Sequence, residues 1–264
     1  MKPEFWVSQT GHKPLYPDLQ WSRPENKHHA GKLLVVGGHL HGFAAPAEAY
    51  GEALRAGAGA VRALLPEAIR KIVGVIVPDA DFAPSGPSGS LSQKALVELL
   101  MGASWADHIL FAGDLGRNSE TAILLEKFLS KNTSGVTLTR DAVDYVTSAP
   151  QAILHRKHTL LVLSISQLQR LAIASQVERP VKFSMDLLHL VDWLHEYSKR
   201  FAPYIIVKHH DQIIVAVNGR VSTTKVDTRL QVWRLKTATH AAVWWMQNPN
   251  KPFEALSSSV LLHA

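Results

Sequence analysis

Short apolar or β-branched runs alternate with amphipathic stretches along most of this chain. The runs predict buried strands at 32–37, 60–65, 108–113, 136–139, 160–163, 204–208 and 212–217. The amphipathic stretches predict helices over 44–58, 66–73, 91–103, 119–129, 166–175, 183–198 and 230–246. This alternation is typical of a mostly parallel sheet with helices on its faces, so we predict one α/β domain over 1–264 with about eight strands.

Residues that end or join elements support this reading. The first long helix ends at Gly57 and Gly59, since glycine commonly terminates a helix, and Ser119 is expected to cap the helix over 119–129. The segment 209–211, His-His-Asp, predicts a hairpin turn between the last two strands. Residues 1–30 are rich in Pro, His and aromatic residues without a clear period, which predicts an extended arm over the domain.

Composition narrows the class of protein. The 264 residues are 46% hydrophobic and 19% charged, which excludes a mostly disordered chain, and the lack of cysteine excludes disulfides and thiolate sites. The net charge is 28 − 22 = +6, but the basic doublets are scattered, so specific nucleic-acid binding is not expected. No apolar run approaches the roughly 20 residues of a membrane span, and no signal peptide is evident, so we expect a cytoplasmic protein without a membrane partner.

Two glycine turns are the best candidates for ligand binding in the pattern itself. Gly37 and Gly38 follow the first predicted strand, and Gly113 to Gly116 follow the strand at 108–113. Glycines let backbone N–H groups approach a phosphate at a helix N-terminus, and the carboxyl ends of parallel strands share one rim where ligands bind. The alternative is that these glycines serve only the strand–helix turns.

Other residue groupings favour packing over chemistry. Fourteen histidines raise the question of a metal site, but their closest groupings lack a third ligand at a suitable spacing, so no metal site is expected. These groupings are His39 with His41, His155 with His158, and His189 with His195. Three tryptophans on the last predicted helix, Trp233, Trp244 and Trp245, are expected to pack in the core.

The segment 32–61 resembles the ADP/ATP-dependent NAD(P)H-hydrate dehydratases, a branch of the ribokinase-like carbohydrate-kinase superfamily. Its Lys-Leu-Leu-Val-Val-Gly-Gly-His runs without gaps to Ala-Leu-Arg-Ala-Gly-Ala-Gly-Ala-Val, close to a typical family sequence. Segments 113–117, 139–143, 206–209 and 218–221 are similar to further family motifs, so the similarity spans about residues 26–263.

The resemblance implies a three-layer α/β/α fold and a lyase that repairs hydrated NADH or NADPH. ATP or ADP, with Mg²⁺, would phosphorylate the added hydroxyl, and loss of phosphate would restore the nicotinamide ring. It further implies a cleft at the rim for an anionic or dinucleotide-like ligand, with His39 and Arg117 as donors. The residues that correspond to this cleft are Gly37, Gly38, His39, Gly113, Asp114, Leu115, Gly116, Asp141 and Lys208.

The chain departs from the family at the turn that matters most for catalysis. The family has Gly-Ser-Gly-Asp there, which supplies an anion hole and the presumed base. Counting from the flanking matches places that Asp at Ala238 or at Lys236, in a stretch with neither glycine nor carboxylate. Loss of a catalytic base typically costs orders of magnitude in rate. We therefore expect weak or absent activity, a small effect of ATP or ADP on the melting temperature, and a helix that packs Leu235 and Ala238 inward.

Further family features are altered at the same rim. The first Asp of the family's Asp-Ala-Asp-Ala is Thr139, and Ser164 to Gln167 replaces a longer segment. Three functions stay open at this point. They are a divergent dehydratase, a non-catalytic protein that binds a ligand or a partner, and a small-molecule kinase of the same superfamily. A homo-oligomer is compatible with each of them.

Overall fold

The computed structural model describes residues 3–73, 77, 79–227 and 233–263, and these form one ten-stranded sheet instead of about eight strands. The strands are β1 (Trp6–Gln9), β2 (Lys32–Gly37), β3 (Ala60–Pro66), β4 (Ala80–Ala83), β5 (His108–Gly113), β6 (Gly135–Thr139), β7 (Thr159–Leu163), β8 (Tyr204–His209), β9 (Gln212–Val217) and β10 (Arg220–Lys225). Every strand predicted from the sequence is present. The additional ones, β1, β4 and β10, are short or rich in polar residues, so they lack the apolar run on which the prediction depended.

The sheet is parallel from β4 to β8, as the alternating pattern predicted. Its strand order is β1-β10-β9-β8-β7-β6-β5-β2-β3-β4, and β9 runs antiparallel to both of its neighbours. From β2 the chain proceeds to β3 and β4 on one side and then returns to β5 on the other. The order therefore reverses between β2 and β5, and a crevice opens at the carboxyl ends of those two strands.

Helices cover both faces of the sheet. The described residues form α1 (Pro17–Trp21), α2 (Ala44–Arg55), α3 (Arg70–Val73), α4 (Leu96–Trp105), α5 (Ser119–Lys131), α6 (Asp141–Ser148), α7 (Gln151–Leu154), α8 (Ile165–Ala174), α9 (Leu187–Arg200), α10 (Arg234–Gln247) and α11 (Pro252–Ser259). One core layer joins the sheet to α2, α10 and α11, and the opposite layer joins it to α4, α5, α6, α8 and α9. The predicted three-layer α/β/α fold is confirmed. Of the helices described, none has the length and hydropathy needed to cross a bilayer.

Several predicted helix bounds need correction, each for a local reason. Only the second half of the helix predicted over 66–73 is α-helical, because Pro66 still belongs to β3 and a 3₁₀ turn over Glu67–Ile69 precedes α3. Ser119 is the first residue of α5 and not its cap, since the Asn118 side chain accepts a hydrogen bond from the Thr121 amide. The predicted start of the last long helix at 230 lies outside the described residues. At Gly57, a φ of +89° confirms the predicted end of α2.

The N-terminal arm is built into the sheet. β1 pairs in parallel with β10, the Trp6 indole donates a hydrogen bond to Thr223 Oγ1 (3.0 Å), and Gln9 Nε2 donates to Thr224 Oγ1 (2.8 Å). The arm predicted to lie over the domain thus contributes an edge strand, and α1 follows it. Its polar pairing with β10 explains why an apolar pattern could not reveal it.

Candidate functional site

The crevice at the switch point is formed by two tightly joined glycine turns. The Gly38 amide donates to the Gly113 carbonyl at 3.2 Å, and a Cβ atom on Gly37 would lie only 2.4 Å from that same carbonyl oxygen. Gly38 has a φ of +89° and Gly113 a φ of +107°, conformations that side-chain-bearing residues rarely adopt. These glycines therefore have a structural role in the turns whether or not a ligand is bound.

A carboxylate of the chain itself occupies the N-terminus of α2. Asp114 Oδ2 accepts a hydrogen bond from the Ala45 amide at 2.8 Å, and Asp114 Oδ1 pairs with the Arg140 guanidinium at 2.9 Å. The partial positive charge of a helix N-terminus stabilises an anion placed there. Asp114 thus fills the place beside Gly37 and Gly38 where the sequence suggested a phosphate, and it would repel a second anion at the N-terminus of α2.

His39 and Leu115 stand beside this carboxylate. His39 Nδ1 lies 3.1 Å from the Gly42 carbonyl oxygen and 3.0 Å from that of Asp114. Because both partners are acceptors, the proton resides on Nδ1, and Nε2 is the ring atom that is left for a ligand. The Leu115 side chain is buried, and its amide donates to Asp141 Oδ2 at 2.8 Å. Leu115 therefore offers no side chain to the crevice.

Asp141, the first residue of α6, is a half-buried acid of the rim. Burial raises the pKa of its carboxyl above the ordinary value, and the nearby charge of Asp114 adds to this, whereas the Leu115 amide and Arg140 act in the opposite direction. Its Oδ1 atom is buried and has no hydrogen-bond partner among the described residues. Leaving such an atom unpaired costs about 1–3 kcal/mol, so this oxygen is a candidate for a ligand contact.

Two arginines that the sequence analysis did not select converge on the same rim. The Arg140 carbonyl accepts a hydrogen bond from Gln167 Nε2 (2.7 Å), and Arg234 Nη1 donates to Gln167 Oε1 (2.9 Å). Burial lowers the pKa of Arg234, and the neighbouring positive charge of Arg140 lowers it further. Gln167 thus links the Arg140 backbone to the Arg234 guanidinium at the start of α10, and the two arginine charges repel each other.

The backbone at Arg140 is strained. Its φ and ψ are 56° and −130°, a region that is favourable only for glycine. Such a conformation in a residue with a side chain costs of order 1–3 kcal/mol and commonly occurs at functional sites. The signal available in the sequence was the position of Arg140, directly after a predicted strand that ends at the rim.

The segment Ser164 to Gln167, which replaces a longer family segment, is a well-formed helix start. The Ser164 side chain accepts a hydrogen bond from the Gln167 amide, and the Gln167 side chain accepts one from the Ser164 amide, so the two residues make a capping box for α8. The departure from the family pattern therefore has a structural function, because it fixes the glutamine that bonds the Arg140 carbonyl and the Arg234 guanidinium.

The stretch that aligns with the family's catalytic turn is regular helix. Leu235 and Ala238 are buried, which confirms their predicted inward packing, and the Thr237 amide donates to the Trp233 carbonyl within the helix. Lys236 is exposed. Trp233, Trp244 and Trp245 are also buried, so their predicted packing role is confirmed.

The remaining sequence candidates lie apart. Lys208 is half-buried near the carboxyl end of β8, two strands from β6 in the sheet. His189 pairs with Asp186 on the surface, whereas His39 and His41 face each other with ring centroids 6.2 Å apart. In the ranges that the structure describes, no three or more His, Cys, Asp or Glu residues come together as a possible metal site.

A cavity of about 620 Å³ opens beside the crevice, between α5 and α6, and we call it the α5–α6 cavity. Gly116, Arg117 and Asp141 of the predicted cleft line it, but Gly38, His39, Asp114 and Leu115 do not. The predicted cleft residues are therefore divided between the crevice at the switch point and this neighbouring cavity. The cavity is also lined by Asn118, Ala122, Ile123, Glu126, Asp144, Tyr145, Ala149, Ala152 and Arg170.

Comparison with known proteins shows the fold. No protein-family model and no curated protein matches the chain. Among solved structures, a ribokinase-like superfamily protein from Enterococcus faecalis superposes with a TM-score of 0.77 at 15% identity, covering 100% of this chain and 87% of that one. An ADP/ATP-dependent NAD(P)H-hydrate dehydratase from Bacillus subtilis, co-crystallised with ATP/Mg²⁺ and soaked with CoA, gives 0.61 at 16% identity, covering 95% and 87%. A Bacillus subtilis member of the UPF0031 family gives 0.62 at 15% identity over the same shares. The chain has the ribokinase-like fold, as its sequence predicted.

Proposed function

We propose that this protein is a divergent relative of the nucleotide-dependent NAD(P)H-hydrate dehydratases that binds a dinucleotide-like ligand at the rim and has little or no catalytic activity. The observation that carries the proposal is the closeness of two arginines, Arg140 and Arg234, at the N-terminus of α10. Gln167 bonds both the Arg140 carbonyl and the Arg234 guanidinium, and burial together with the positive charge of Arg140 lowers the pKa of Arg234. An anion between them would relieve their mutual repulsion. Arginine also matches phosphate oxygens with two parallel hydrogen bonds.

The donor set fits a diphosphate. Arg140 is fixed on one side by Asp114, Arg234 is fixed by Gln167, and Lys236 adds an exposed positive charge in the first turn of α10. The N-terminus of this 14-residue helix favours negative charge as well. These groups would bind and orient the phosphates of a nucleotide or dinucleotide, taking the place of the glycine-rich anion hole that the family has and this chain lacks.

Catalysis is a different matter, because it needs a carboxylate near the reacting hydroxyl. In one alignment the family's Asp falls on Ala238, which is wholly buried, and in the other on Lys236, which is cationic. Neither residue accepts a proton from a hydroxyl at neutral pH. The charged groups at the rim thus support ligand binding. For proton transfer, no carboxylate stands at the position expected from the family.

Binding of NADH and of inorganic pyrophosphate, measured by calorimetry, tests the proposal. Both should bind saturably, and binding should weaken as salt concentration rises because the contacts are ionic. Arg140→Gly, which also relieves the backbone strain, and Arg234→Gln should each weaken binding by roughly 10- to 100-fold, the effect of losing a hydrogen bond from a charged group. Arg179→Gln is the matched control, since Arg179 forms a comparable ion pair with Asp192 on the surface, at 2.7 Å.

Two results would contradict the proposal. Unchanged affinity in both arginine variants would show that the ligand does not bind at Arg140 and Arg234. Turnover of hydrated NADH by the wild-type protein with ATP or ADP would instead show that the protein is an active dehydratase.

A further inference from the structure

A concave surface of about 420 Å³ lies at the opposite end of the sheet from the rim, and we call it the basic cleft. Its residues come before β7, before β8 or directly after β9, so they stand at the amino ends of the parallel strands β7 and β8. It is lined by His155, Lys157, Ser198, Lys199, Arg200 and Asn218, among others. The function proposed above makes no use of this surface.

The fold brings together two basic doublets that are far apart in the sequence. Lys157 ends one doublet, and Lys199 and Arg200 form the other. The Ala202 amide donates a hydrogen bond to the Leu154 carbonyl at 2.9 Å, which joins the two segments directly. Basic residues that are scattered along the sequence therefore form one cluster on the surface.

Positive charge in this cluster is only weakly balanced. None of the described residues that line the cleft is an acid. In the described ranges, the one ion pair of a lining residue joins Lys199 Nζ to Glu196 Oε1 at 3.6 Å, which is longer than a hydrogen bond. Lys199 and Arg200 also balance the negative end of α9, but Lys157 lies in the turn between α7 and β7. An anion would thus meet an excess of positive charge.

The turn that carries Lys157 is fixed by its neighbour Arg156. The Arg156 guanidinium donates hydrogen bonds to the carbonyls of Asn132 and Ser134, at 2.8 Å each. Lys157 itself is exposed. Because the backbone beneath this side chain is already ordered, a ligand that it contacts has less conformational freedom to remove on binding.

Lys199 is held against the turn between β9 and β10. A Cβ atom on Gly219 would lie 2.6 Å from Lys199 Cγ, so the lack of a side chain at this position leaves room for the lysine stem. The Gly219 amide donates to Ser198 Oγ at 3.0 Å, which fixes the turn to α9. The stem of Lys199 is thus packed, whereas its side chain as a whole is 54% exposed and its ammonium group can reach a ligand.

The form of the cleft favours a small ligand over a nucleic acid. A nucleic acid is typically bound by a stripe of basic residues or by aromatic side chains on which bases stack. The third basic doublet, at 70–71, does not line the cleft, and the aromatic residue that does, Phe201, is buried. The volume of the cleft lies within the range of small-molecule sites. Lysine and arginine present only hydrogen-bond donors, so the matching ligand presents acceptors.

We propose that the basic cleft is a second ligand site, for a small anion that carries two or more negative charges on carboxylate or phosphate groups. Lys157, Lys199 and Arg200 bind its oxygens. More than one charge is needed, because a single ion pair between exposed groups is weak in water. The site lies at the other end of the sheet from the arginines of the rim, so it is occupied independently of them.

Calorimetric titration of the full chain carrying Arg234→Gln, with citrate and with tripolyphosphate, tests the site. This background weakens anion binding at the rim, so that binding at the cleft is measured. At least one of the two anions should bind saturably and less tightly as salt concentration rises. Citrate alone would identify a polycarboxylate site, tripolyphosphate alone a polyphosphate site, and both a site that selects by charge. Binding of neither, or of a short DNA duplex alone, would overturn the proposal.

Two double variants in the same background separate the cleft from net charge. Lys157→Gln with Arg200→Gln should weaken binding by at least about tenfold, because it removes two charged donors. Lys71→Gln with Lys94→Gln is the matched control, since it removes two charges from exposed residues outside the cleft and should leave the affinity nearly unchanged. Equal affinities in the two double variants would overturn the proposal.

Chemical protection locates the ligand. Citrate or tripolyphosphate, whichever binds, should protect Lys157 and Lys199 from acetylation, measured by mass spectrometry, and should leave Lys71 reactive. Equal acetylation of all three lysines with and without the anion would contradict a site in the cleft. Titration of the wild type with NADH measures the rim separately, so either site can fail without the other.

Discussion

At the scale of single residues, the glycines of the rim show how closely fold and site are linked. Gly37 lies in β2 at the point where the sheet register shifts, and its missing side chain allows the Gly113 carbonyl to approach. The same backbone contact positions Asp114, whose carboxylate holds both the N-terminus of α2 and Arg140. A change at Gly37 should therefore affect stability before it affects any ligand.

We predict that Gly37→Ala lowers the free energy of unfolding by about 2 kcal/mol or more, because its Cβ would lie 2.4 Å from the Gly113 oxygen. Gly51→Ala is the contrasting control. Gly51 lies inside α2, where a Cβ would meet only the Arg55 side chain, at 3.7 Å, so alanine should stabilise the protein by roughly 0.5–1 kcal/mol. Urea unfolding of the two variants measures both changes. A Gly37→Ala variant as stable as the wild type would show that the turns can separate without cost.

At the scale of elements, the sequence predicted the strands that bury apolar side chains. It missed strands whose contacts are polar. The strands β2, β5 and β7, which are apolar after their first residue, were evident as continuous runs. In contrast, β10 buries Ser222 against Ser257, with 2.7 Å between their hydroxyl oxygens. Hydrophobic periodicity cannot report a buried position that is satisfied by a hydrogen bond instead of by apolar packing.

In the candidate site, too, some features could be predicted from the sequence and others could not. The glycine turns could be predicted because each follows an apolar strand and needs a particular local conformation. The Arg140–Gln167–Arg234 arrangement could not, because its members are far apart in the sequence and only the order of the strands brings them to one rim. The loss of the family's catalytic turn was visible in the sequence, but the arginines that stand near it were not.

A buried histidine joins three elements and makes stability depend on pH. His108 in β5 contacts Thr137 Oγ1 of β6 at 2.8 Å, its ring centroid lies 5.1 Å from that of Trp245 in α10, and Gly135 leaves the space it needs. Burial lowers its pKa to about 3, and the charges of Arg156 and His158 act in the same direction. The unfolded chain binds this proton more readily than the folded one, so the stabilisation is complete above about pH 6.5 and is lost as the pH falls towards the folded value.

We predict that the free energy of unfolding of the wild type falls by up to about 1.4 kcal/mol per pH unit below about pH 6 through this one group. His108→Gln, which retains a hydrogen-bonding group but does not titrate, should remove that part of the slope. The exposed His155→Gln should leave it unchanged. Urea unfolding at several pH values gives the slopes, and equal slopes for the wild type and His108→Gln would exclude His108 as the source. Part of the slope should persist in any case, because burial also lowers the pKa of His240.

At the scale of the whole molecule, the sheet has two very different edges. Both edge strands have four residues, but β4 follows its partner β3 closely in the sequence, whereas β1 is remote in sequence from its partner β10. Gln9 links β1 to β10 and to α11. Its side-chain amide donates to Thr224 Oγ1 and to the carbonyl of Ser257, in the second half of α11. The stacked rings of Phe5 and His195, 3.6 Å apart, attach the same arm to α9.

Because the arm bonds to the sheet and to helices of both layers, its removal should weaken the molecule as a whole and not only an edge. We predict that a chain lacking residues 1–9 unfolds in a single transition at a lower temperature, and that it self-associates because β10 becomes an open edge strand with unpaired backbone groups. Calorimetry and light scattering measure the two effects. Trp21→Ser, a change at a residue of α1 that is 88% exposed, is the control and should alter neither. A truncated chain that keeps the wild-type melting temperature and does not self-associate would contradict the prediction. It would mean that β10 needs no partner strand and that the arm does not contribute to the stability of the fold.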